Sequence, residues 1–342
     1  MTPSRARVGI VGLGSIGRTH ARVLAELSDQ AVVVAASGGS PAVLAELGLS
    51  DTAHLSPDEL LTRPDIDLVA ITGPSGVHGE LALAALRGGK AVVVEKPLAV
   101  DTGTAAEIVR LGEELGLMVA VVAQRRLEPQ NVAVKRLLDA GELGRPLLGE
   151  TFVHWHRDDA YYAHADWRTS QADGGGSLMN QGLHNLDLLH WFLGPVSSVT
   201  GHYATLGHTM DAEDTTVATL RFASGALGLA ATTTATRPGD PARLTVFTST
   251  GVLEITHTEI SRWEFDGVPR PAPADGPAAG SSDPAAIGDA GHLAQWRDIL
   301  AAYRDGRDPA ISGRDGLGTV ELLCGIYEAC RTGRAVTLTE HP

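Results

Sequence analysis

The amino-acid sequence predicts two domains: an α/β fold with a doubly wound parallel sheet in the first third of the chain, and an α+β fold in the remainder. Up to about residue 125, short apolar runs alternate with amphipathic segments, whereas β patterning dominates from Leu147 onward. A length of 342 residues also exceeds what one hydrophobic core usually organises. We therefore predict domains at 1–125 and 126–342.

Composition and charge restrict the class of protein. A hydrophobic content of 43% is typical of a globular chain. No apolar run approaches the roughly 20 residues of a membrane span, and the N-terminus passes into the first strand without a secretory signal. We therefore expect a cytoplasmic protein with no membrane partner. The net charge of −14 argues against nucleic acid as a partner.

A glycine-rich turn follows the first predicted strand. Residues 8–11 lead into Gly12-Leu13-Gly14-Ser15-Ile16-Gly17, and an amphipathic segment follows at 18–27. In such a turn the first glycine permits the bend, the second lets the backbone approach a pyrophosphate, and the third lets the helix pack on the strand. The phosphates then lie at the positive end of the helix dipole. The pattern predicts a dinucleotide-binding Rossmann domain, with a purely structural turn as the alternative.

The end of the second predicted strand bears on the choice of nucleotide. An acidic residue about 20 positions past the glycine turn usually accepts both ribose hydroxyls of NAD. After the strand at 31–36, this chain has Ser37-Gly38-Gly39-Ser40 instead. Without a carboxylate a 2′-phosphate is not repelled, yet no arginine stands beside Ser37 to bind that phosphate. The sequence leaves NAD and NADP open, with a slight lean to NADP.

Three further predicted strands, 66–72, 90–94 and 118–123, end in residues suited to ligand binding. Before the first of them, Ser56 opens a helix as its cap. Ligands of doubly wound sheets bind beyond the carboxyl ends of the strands, so one crevice collects the strand-end residues. The residues expected at the cofactor are Gly12, Gly14, Ser15, Ile16, Gly17, Ser37, Gly38, Thr72, Gly73, Pro74, His78, Glu95, Lys96, Pro97 and Gln124.

Lys96 is one of few lysines, which occur only at positions 90, 96 and 135. It lies at a strand end, within Glu95-Lys96-Pro97, where we expect the nicotinamide ring. Partial desolvation beside this ring lowers the pKa of a lysine, which can then accept a proton or bind the reacting oxygen. A solvated surface lysine is the alternative.

The second domain is predicted as a mostly antiparallel open sheet with several helices. Helices are predicted at 129–140, 178–192, 291–303 and 315–330, and strands at 147–156, 196–204, 215–222, 226–235, 244–248 and 251–255. Residues 266–289 are rich in Pro, Ala, Gly and Asp, which predicts a surface loop or lid. An open sheet usually needs its outer face covered, so we expect a homodimer or homotetramer.

A polar stripe lies on the helix predicted at 178–192. The glycines at 174–176 precede it and let the backbone come close to a ligand, and Ser177 can cap the helix. Asn180, His184 and Asp187 follow at i, i+4 and i+7, so they share one face. These three residues are candidate catalytic groups, and a hydrogen-bonded core histidine is the alternative for His184.

Aromatic and multi-donor side chains cluster on the strand at 147–156 and in the loop after it, and such groups suit a small polyhydroxylated substrate. Alternation places His154 and His156 on one face and Trp155 on the other. The candidate substrate-binding residues are Lys96, Arg126, His154, His156, Tyr161, Trp167, Arg168, Asn180 and His184. Plain sheet packing is the alternative. The histidine pair could bind a metal together with His164, but the spacing of a third ligand is not convincing, so no metal is predicted.

Together these motifs resemble the glucose–fructose oxidoreductase / inositol dehydrogenase / MocA (Gfo/Idh/MocA) family of NAD(P)-dependent sugar and cyclitol oxidoreductases. The matching pieces are the glycine turn, Thr72-Gly73-Pro74 with His78, Glu95-Lys96-Pro97, Arg126 with Pro129, Gly144-Arg145-Pro146, and Gly174-Gly175-Gly176 with His184 and Asp187. They run from the N-terminus to about Gly194. The resemblance is specific for the family and not for the substrate, and it implies catalytic roles for Lys96 and His184 and a cis Lys96–Pro97 peptide.

One position departs from the family pattern. Many members, inositol dehydrogenases among them, have Asp four residues before the histidine, where this chain has Asn180. An amide cannot stabilise an imidazolium by its charge. The Asn-Gln-Gly-x-His form resembles the branch that contains nucleotide-sugar and amino-sugar dehydrogenases and reductases.

The sequence thus predicts hydride transfer between nicotinamide and a secondary alcohol or ketone of a sugar, an amino or nucleotide sugar, or a cyclitol. We expect His184 to shuttle the proton, Lys96 to polarise the oxygen, and Asp187 to orient one or both through a charge-assisted hydrogen bond. The roles of Lys96 and His184 could be exchanged. A redox-neutral NAD-dependent glycosidase or epimerase could use the same residues, and a non-enzymatic nucleotide sensor is a further alternative.

Overall fold

The computed structural model describes residues 5–272 and 289–338, and the chain divides into two compact units. Unit 1 consists of the chain up to Gln124 together with Asp289–Val320. Unit 2 consists of the chain from Arg125 together with the segment from Glu321 onward. The first boundary lies next to the predicted one, but neither unit is a single continuous segment.

The described residues form strands and helices in the following order along the chain. The strands are β1 (Ala6–Val11), β2 (Ala31–Ser37), β3 (Ala53–His54), β4 (Leu68–Ile71), β5 (Ala91–Val94), β6 (Val119–Val121), β7 (Pro146–His154), β8 (Val196–Ala204), β9 (Thr215–Phe222), β10 (Leu227–Thr233), β11 (Arg243–Thr248), β12 (Gly251–Thr256), β13 (Glu259–Phe265) and β14 (Val336–Thr337). The helices are α1 (Ser15–Glu26), α2 (Pro41–Glu46), α3 (Pro57–Thr62), α4 (His78–Arg87), α5 (Thr102–Leu115), α6 (Pro129–Asp139), α7 (Asp159–Ala163), α8 (Leu183–Leu193), α9 (Ala290–Asp305) and α10 (Gly313–Thr332).

Unit 1 contains a six-stranded parallel sheet in the order β3-β2-β1-β4-β5-β6. This order is that of a doubly wound Rossmann sheet, so the predicted fold is confirmed. Every residue of β4 and β5 is buried, as expected for parallel strands with helices on both faces. Ser56 caps α3 as predicted, because its hydroxyl accepts from the Glu59 amide (3.3 Å) while the Glu59 carboxylate accepts from the Ser56 amide (2.9 Å).

The late helix α9 belongs to unit 1, which the prediction of two consecutive domains did not include. Trp296, Ile299 and Leu300 are buried in the same core as β1 and α1. The Gln295 side chain donates to the carbonyl of Val121 (2.7 Å) and accepts from the amide of Ala123 (3.2 Å). Helical periodicity shows which face of α9 is apolar, but it does not show which sheet that face covers.

Unit 2 contains an eight-stranded sheet in the order β13-β12-β11-β7-β10-β9-β8-β14. Strands β7 and β10 pair in parallel and the other neighbours pair antiparallel, which confirms a mostly antiparallel sheet. The core lies between this sheet and the apolar face of α8, where Leu186 and Leu189 are fully buried with Leu244. Strands β13 and β14 were not predicted.

The helix predicted at 178–192 is not uniform. A π-helical segment spans Ser177–Gly182, and α8 begins only at Leu183. Because a π-helix has more residues per turn than an α-helix, the i, i+4 relation between Asn180 and His184 does not hold as in a regular helix. His184 and Asp187 lie on the same face of α8, whereas Asn180 belongs to the preceding π-helical segment.

The remaining expectations from the sequence concern the loop at 266–289 and the absence of a membrane span. The predicted loop at 266–289 follows β13, and its residues 273–288 lie outside the described part of the chain. Within residues 5–272 and 289–338, none of the helices has the length and apolarity that a membrane span requires.

Candidate active site

The glycine turn of unit 1 is held by the ends of two neighbouring strands. Gly12 has a φ of +108°, and a Cβ there would lie 2.7 Å from the Gly73 nitrogen, while a Cβ on Gly17 would lie 1.9 Å from the Gly12 oxygen. The Thr72 hydroxyl donates to that same oxygen (2.6 Å), and the Gly12 amide donates to the Ser37 carbonyl (2.9 Å). The contacts therefore require glycine at both positions and fix the turn against β2 and β4.

The first turn of α1 is open at its N-terminus. Its N-cap residue is Gly14, which provides no side-chain cap, and a Cβ at Gly14 would meet no atom within 4 Å. The Arg18 amide donates to the Gly14 carbonyl (3.0 Å), so the amides of Ser15, Ile16 and Gly17 precede the intrahelical hydrogen bonds. These donors and this space fit the pyrophosphate of a dinucleotide, as the sequence predicted for this turn.

The turn after β2 contains the residues expected at the adenosine ribose. Ser37 is buried, and its carbonyl accepts from the amides of Gly12 (2.9 Å) and Leu13 (3.2 Å). A Cβ on Gly38 would lie 3.3 Å from the Leu13 nitrogen, so this turn packs directly on the glycine turn. Residues 37–40 include neither a carboxylate nor a guanidinium group.

His78 connects the ends of β4 and β5. Its Nδ1 lies 2.8 Å from the Pro97 carbonyl oxygen and its Nε2 lies 2.9 Å from the Gly73 carbonyl oxygen. Burial lowers the pKa of His78, although both carbonyls act in the opposite direction. A neutral imidazole has one N–H, so it donates to one of these carbonyls at a time. His78 thus contacts both segments that the sequence places beside the nicotinamide.

Lys96 lies directly after β5, at the carboxyl edge of the sheet, and is half-buried. Burial lowers its pKa from the ordinary value, while the carboxylate of Glu95 acts in the opposite direction. The Lys96–Pro97 peptide is cis, as the family resemblance implies. The Glu95 carboxylate, expected at the cofactor, instead lies 2.9 Å from Nε2 of His20 in the interior of unit 1. Gln124, three residues after β6, is buried. Its side-chain amide oxygen has no hydrogen-bond partner among the described residues.

The glycines before the π-helical segment of unit 2 contact the chain itself. A Cβ on Gly175 would lie 2.4 Å from the Arg168 carbonyl oxygen, and one on Gly176 would lie 2.6 Å from the Glu213 carboxylate. That carboxylate accepts from the Leu178 amide (2.9 Å), the Ser177 hydroxyl (2.5 Å) and the Tyr327 hydroxyl (2.9 Å). Ser177 therefore donates to Glu213 and does not cap the helix, which corrects the predicted cap.

The first turns of α8 contain His184 and Asp187. His184 is half-buried. Asp187 is buried and accepts two hydrogen bonds from the guanidinium of Arg126, from Nε at 2.9 Å and from Nη2 at 2.7 Å. Arg126 also lies over the ring of Trp191, 5.9 Å from its centre. Sequence analysis placed Arg126 at the substrate and Asp187 at the catalytic pair, and the structure joins the two in one buried ion pair.

Three residues predicted at the substrate, Tyr161, Arg168 and Asn180, come together in unit 2. The Tyr161 hydroxyl accepts from the side-chain amides of Asn180 (3.3 Å) and Gln181 (2.8 Å). The Arg168 guanidinium lies over the Tyr161 ring, 4.1 Å from its centre, and donates to the Tyr161 carbonyl (2.7 Å). The arrangement presents a phenol, two amides and a cation within one small region.

The other predicted substrate residues are more dispersed. His154 is the last residue of β7, and its ring contacts Phe152 edge to face, with centres 5.5 Å apart. His156 lies beyond the strand, where its Nε2 accepts from Arg237 (2.8 Å). The guanidinium of Arg168 lies 5.8 Å from the ring centre of Trp167. The two histidines therefore make different contacts, although strand alternation predicted a shared face.

Sequence reasoning missed Glu213 in unit 2, and His20 and Trp296 in unit 1. His20 lies on α1 among the buried residues Ala21 and Leu24, so a polar residue on the apolar face of an amphipathic helix was the available signal. Glu213 is buried in the connection between β8 and β9, where no periodicity marks it.

Unit 1 is therefore a nucleotide-binding Rossmann unit, and unit 2 is an α+β unit with polar side chains on a glycine-preceded helix. Comparisons with known proteins identify the family. Residues 6–123 match the model of the oxidoreductase family with an NAD-binding Rossmann fold, and residues 131–254 match the GFO/IDH/MocA C-terminal domain.

Individual relatives agree with these matches. The WlbA dehydrogenase of Bordetella pertussis, solved in complex with NADH and UDP-GlcNAcA, has 30% sequence identity and a TM-score of 0.87, covering 99% of this chain and 100% of that one. The scyllo-inositol 2-dehydrogenase (NAD(+)) of Bacillus subtilis is 30% identical over 66% of this chain and 66% of its own length. The inositol 2-dehydrogenase/D-chiro-inositol 3-dehydrogenase of Lactiplantibacillus plantarum is 29% identical over 55% of this chain, which spans 52% of that relative.

The chain belongs to the Gfo/Idh/MocA family of oxidoreductases, with an NAD-binding Rossmann domain. The match to the two inositol dehydrogenases extends over only about half to two thirds of their length.

Proposed function

We propose that the protein is an NAD(P)-dependent dehydrogenase or reductase that acts on a secondary alcohol or ketone of a sugar derivative. The observation that supports this most directly is Lys96, a half-buried lysine at the carboxyl end of β5 in a Rossmann unit. Burial lowers its pKa, which suits a group that donates to or accepts from a reacting oxygen. A nucleotide sensor would have no need of such a lysine.

The open first turn of α1 and the space at Gly14 fit the dinucleotide, and Gln124 offers an unpartnered amide oxygen to it. When bound, nicotinamide accepts or returns a hydride at its C4 atom. In the oxidation direction His184 removes the hydroxyl proton of the substrate, and the Lys96 ammonium donates a hydrogen bond to the same oxygen. In reduction, His184 returns the proton to the forming alkoxide.

The buried ion pair supports His184 indirectly. Asp187 lies three residues after His184 on α8, and its two hydrogen bonds to Arg126 fix that part of the helix. We assign Asp187 and Arg126 as positioning residues, since the Arg126 guanidinium donates twice to this carboxylate. Asn180 is assigned to orientation of the substrate or of Tyr161, because it donates to the Tyr161 hydroxyl (3.3 Å).

A negatively charged nucleotide sugar is the proposed substrate class. Arg168 places a cation beside Tyr161, and its Nε atom is buried without a hydrogen-bond partner among the described residues, in a chain whose net charge is −14. Asn180 stands where inositol dehydrogenases have Asp. The WlbA dehydrogenase, which is 30% identical to this chain, was solved with UDP-GlcNAcA.

NAD is the proposed nucleotide. The sequence leaned to NADP because no carboxylate follows β2, but residues 37–40 also lack the arginine that would bind a 2′-phosphate. The WlbA dehydrogenase was solved with NADH. NAD⁺ and NADP⁺ compared in parallel under equal conditions test this choice.

A homo-oligomer is proposed from the sheet of unit 2. Val217 on β9, Leu227 on β10 and Leu147 on β7 are exposed apolar residues of adjacent strands. Such a face is commonly covered by a second subunit. Light scattering during size-exclusion chromatography should give the mass of a dimer or tetramer, and a monomer at micromolar concentration would contradict the proposal.

The primary experiment follows nicotinamide absorbance while the protein meets UDP-GlcNAcA, other nucleotide sugars, free amino sugars and myo-inositol. We expect Lys96→Met and His184→Ala each to lower kcat by about 10²–10⁴-fold without weakening NADH binding. Lys135→Met is the matched control, because Lys135 pairs with Asp139 on α6 and is not among the residues assigned to the site. Unchanged turnover in both active-site variants would refute the assignment. Tightly bound cofactor with no net change in absorbance would support a redox-neutral reaction instead.

A further inference from the structure

A chain of buried polar groups extends from α9 to the residue before Lys96. The Trp296 indole N–H donates to Nδ1 of His20 (2.8 Å), and Nε2 of His20 lies 2.9 Å from Oε1 of Glu95. The second carboxylate oxygen of Glu95 accepts from the Lys96 backbone amide (3.1 Å). Trp296, His20 and Glu95 are each at most 5% exposed. All of these groups belong to unit 1.

The partners determine the tautomer of His20. An indole nitrogen can only donate, so Nδ1 of His20 must be the acceptor. In the neutral ring the proton is then on Nε2, which donates to the carboxylate of Glu95. Burial lowers the pKa of His20, although Glu95 acts in the opposite direction, and the ring is therefore neutral near pH 7. Trp296 thus makes His20 a donor that points in one direction.

The carboxylate of Glu95 remains ionised within this network. Burial opposes its charge, but the hydrogen bond from His20 and the nearby imidazole of His292, 3.8 Å from Oε1, together hold its pKa well below the ordinary value. The groups that face the network are His20 and Asp289 near α1, His292 on α9, His78 on α4 and Lys96 itself. The negative charge that acts on Lys96 comes from Glu95, whereas Asp289 acts on His20.

We propose that His20, directed by Trp296, is a positioning residue that holds the Glu95 carboxylate against the Lys96 backbone and thereby sets the orientation and charge of the Lys96 side chain during turnover. This inference rests on the proposed function, in which the Lys96 ammonium contacts the reacting oxygen. Its basis is the continuous set of hydrogen bonds from α9 to Lys96.

A metal ion is the competing interpretation of the same cluster. One ligand atom each from His20, Glu95 and His292 lie within 4.8 Å of one another, and both ring nitrogens of His292 are buried without a hydrogen-bond partner among the described residues. A metal on Nε2 of His20 would need the lone pair of that nitrogen, which requires the proton on Nδ1, where the indole also donates. The Trp296 contact therefore favours a hydrogen-bonded network over a metal site.

The experiment compares variants that remove one donor at a time. We expect Trp296→Phe, which removes the indole N–H donor to His20 and also shortens a buried side chain, to lower kcat by about two- to tenfold with little change in KM. His20→Leu removes the donor to Glu95, so Glu95 loses its charge more easily and the alkaline limb of the kcat–pH profile should move about one pH unit lower. His20→Gln keeps an N–H donor near the position of Nε2 and should restore most of the wild-type profile.

The matched control is Trp263→Phe, which removes an indole hydrogen bond to the Val268 carbonyl in unit 2 and should leave both kcat and the pH profile unchanged. In the NMR spectrum of ¹⁵N-labelled protein, the imidazole signals of His20 are identified as those that disappear in His20→Gln. They should show the proton on Nε2. Elemental analysis of the purified protein should show less than equimolar zinc or other divalent metal.

The outcomes separate this inference from the proposed function. If Lys96→Met abolishes turnover while Trp296→Phe and His20→Leu leave kcat and the pH profile unchanged, the positioning role is refuted and the proposed function stands. If Lys96→Met has no effect on turnover, the proposed function is refuted, and the positioning role that rests on it is refuted with it. An Nδ1–H tautomer or one equivalent of bound metal would overturn the network in favour of a metal site.

Discussion

Two glycine-rich segments precede helices in this protein, and the structure uses them in opposite ways. In unit 1, the turn of Gly12 to Gly17 leaves the N-terminus of α1 without a side-chain cap and leaves space at Gly14. In unit 2, Gly176 brings the backbone against the Glu213 carboxylate, which accepts from the Leu178 amide. The first helix end is available to an external anion, whereas the second is satisfied by a carboxyl group of the chain itself. A glycine pattern before a helix therefore predicts that another group approaches the backbone closely, but it does not predict whether that group is a ligand or a side chain of the protein.

The largest effect is expected from removing the internal carboxyl group of Glu213. Glu213→Leu leaves the Leu178 amide and the hydroxyls of Ser177 and Tyr327 without their acceptor, so the free energy of unfolding should fall by about 3 kcal/mol. Chemical denaturation measures this change. Affinity for NADH, measured by fluorescence titration on the folded protein, should remain as in the wild type, and a loss of affinity would contradict the separation of the two helix ends.

A smaller loss of stability should follow from Gly176→Ala. Gly176 has a φ of +96°, and the new Cβ would lie 2.6 Å from a Glu213 oxygen, so strain and steric conflict should cost about 2 kcal/mol. The same substitution at Gly14 meets no neighbouring atom and is the matched control for stability. Equal melting temperatures for the two variants would show that the difference between the glycine segments is not real.

Gly14→Ala should instead affect the nucleotide. The added methyl group occupies the space proposed for the pyrophosphate, and we expect NADH to bind about tenfold more weakly, or about 1.4 kcal/mol. The midpoint of denaturation should not change. Unaltered NADH affinity in Gly14→Ala would place the phosphates somewhere other than the first turn of α1.

The two units should also respond oppositely to pH. The pKa values of His20 and His78 are lowered from 6.5 in the folded state, so unfolding takes up protons and stability falls as the pH drops below 6.5. Burial raises the pKa of Glu213 above 4.5, so its contribution to stability is lost as the pH rises from 4.5 through the folded-state pKa.

Denaturation between pH 4 and pH 8 measures how the free energy of unfolding depends on pH. Each group should change this free energy by about 1 kcal/mol for a pKa shift of one unit. His20→Gln should reduce the acid-side loss, and Glu213→Gln should remove the loss on the alkaline side of pH 4.5. A wild-type slope retained in either variant would show that another group controls that limb.

Much of unit 1 could be predicted from the sequence. The alternation of apolar strands with helices indicated the parallel sheet, and the glycine turn and the Glu95-Lys96-Pro97 segment were placed at strand ends where the structure has them. In unit 2, strands β8 and β9 were predicted with their observed bounds. These features depend on local periodicity and turn chemistry, which neighbouring residues determine.

Other features required contacts between distant residues. Leu178 and Glu213 are 35 positions apart, Arg126 and Asp187 are 61 apart, and His20 and Trp296 are 276 apart. The π-helical segment at Ser177–Gly182 likewise has its amides bound by Glu213 and Tyr327 from elsewhere in unit 2. Helical periodicity did not reveal it, because such local distortions are stabilised by tertiary partners.

The sequence by itself determined the fold class, the glycine turn and the positions of Lys96 and His184 along the chain, because these depend on short-range patterns of apolar, glycine and polar residues. Only the tertiary structure decided that Glu213 occupies the helix end in unit 2, that Arg126 pairs with Asp187, and that His20 links α9 to Glu95. A buried polar side chain must find a partner, and which partner it finds depends on how the whole unit packs.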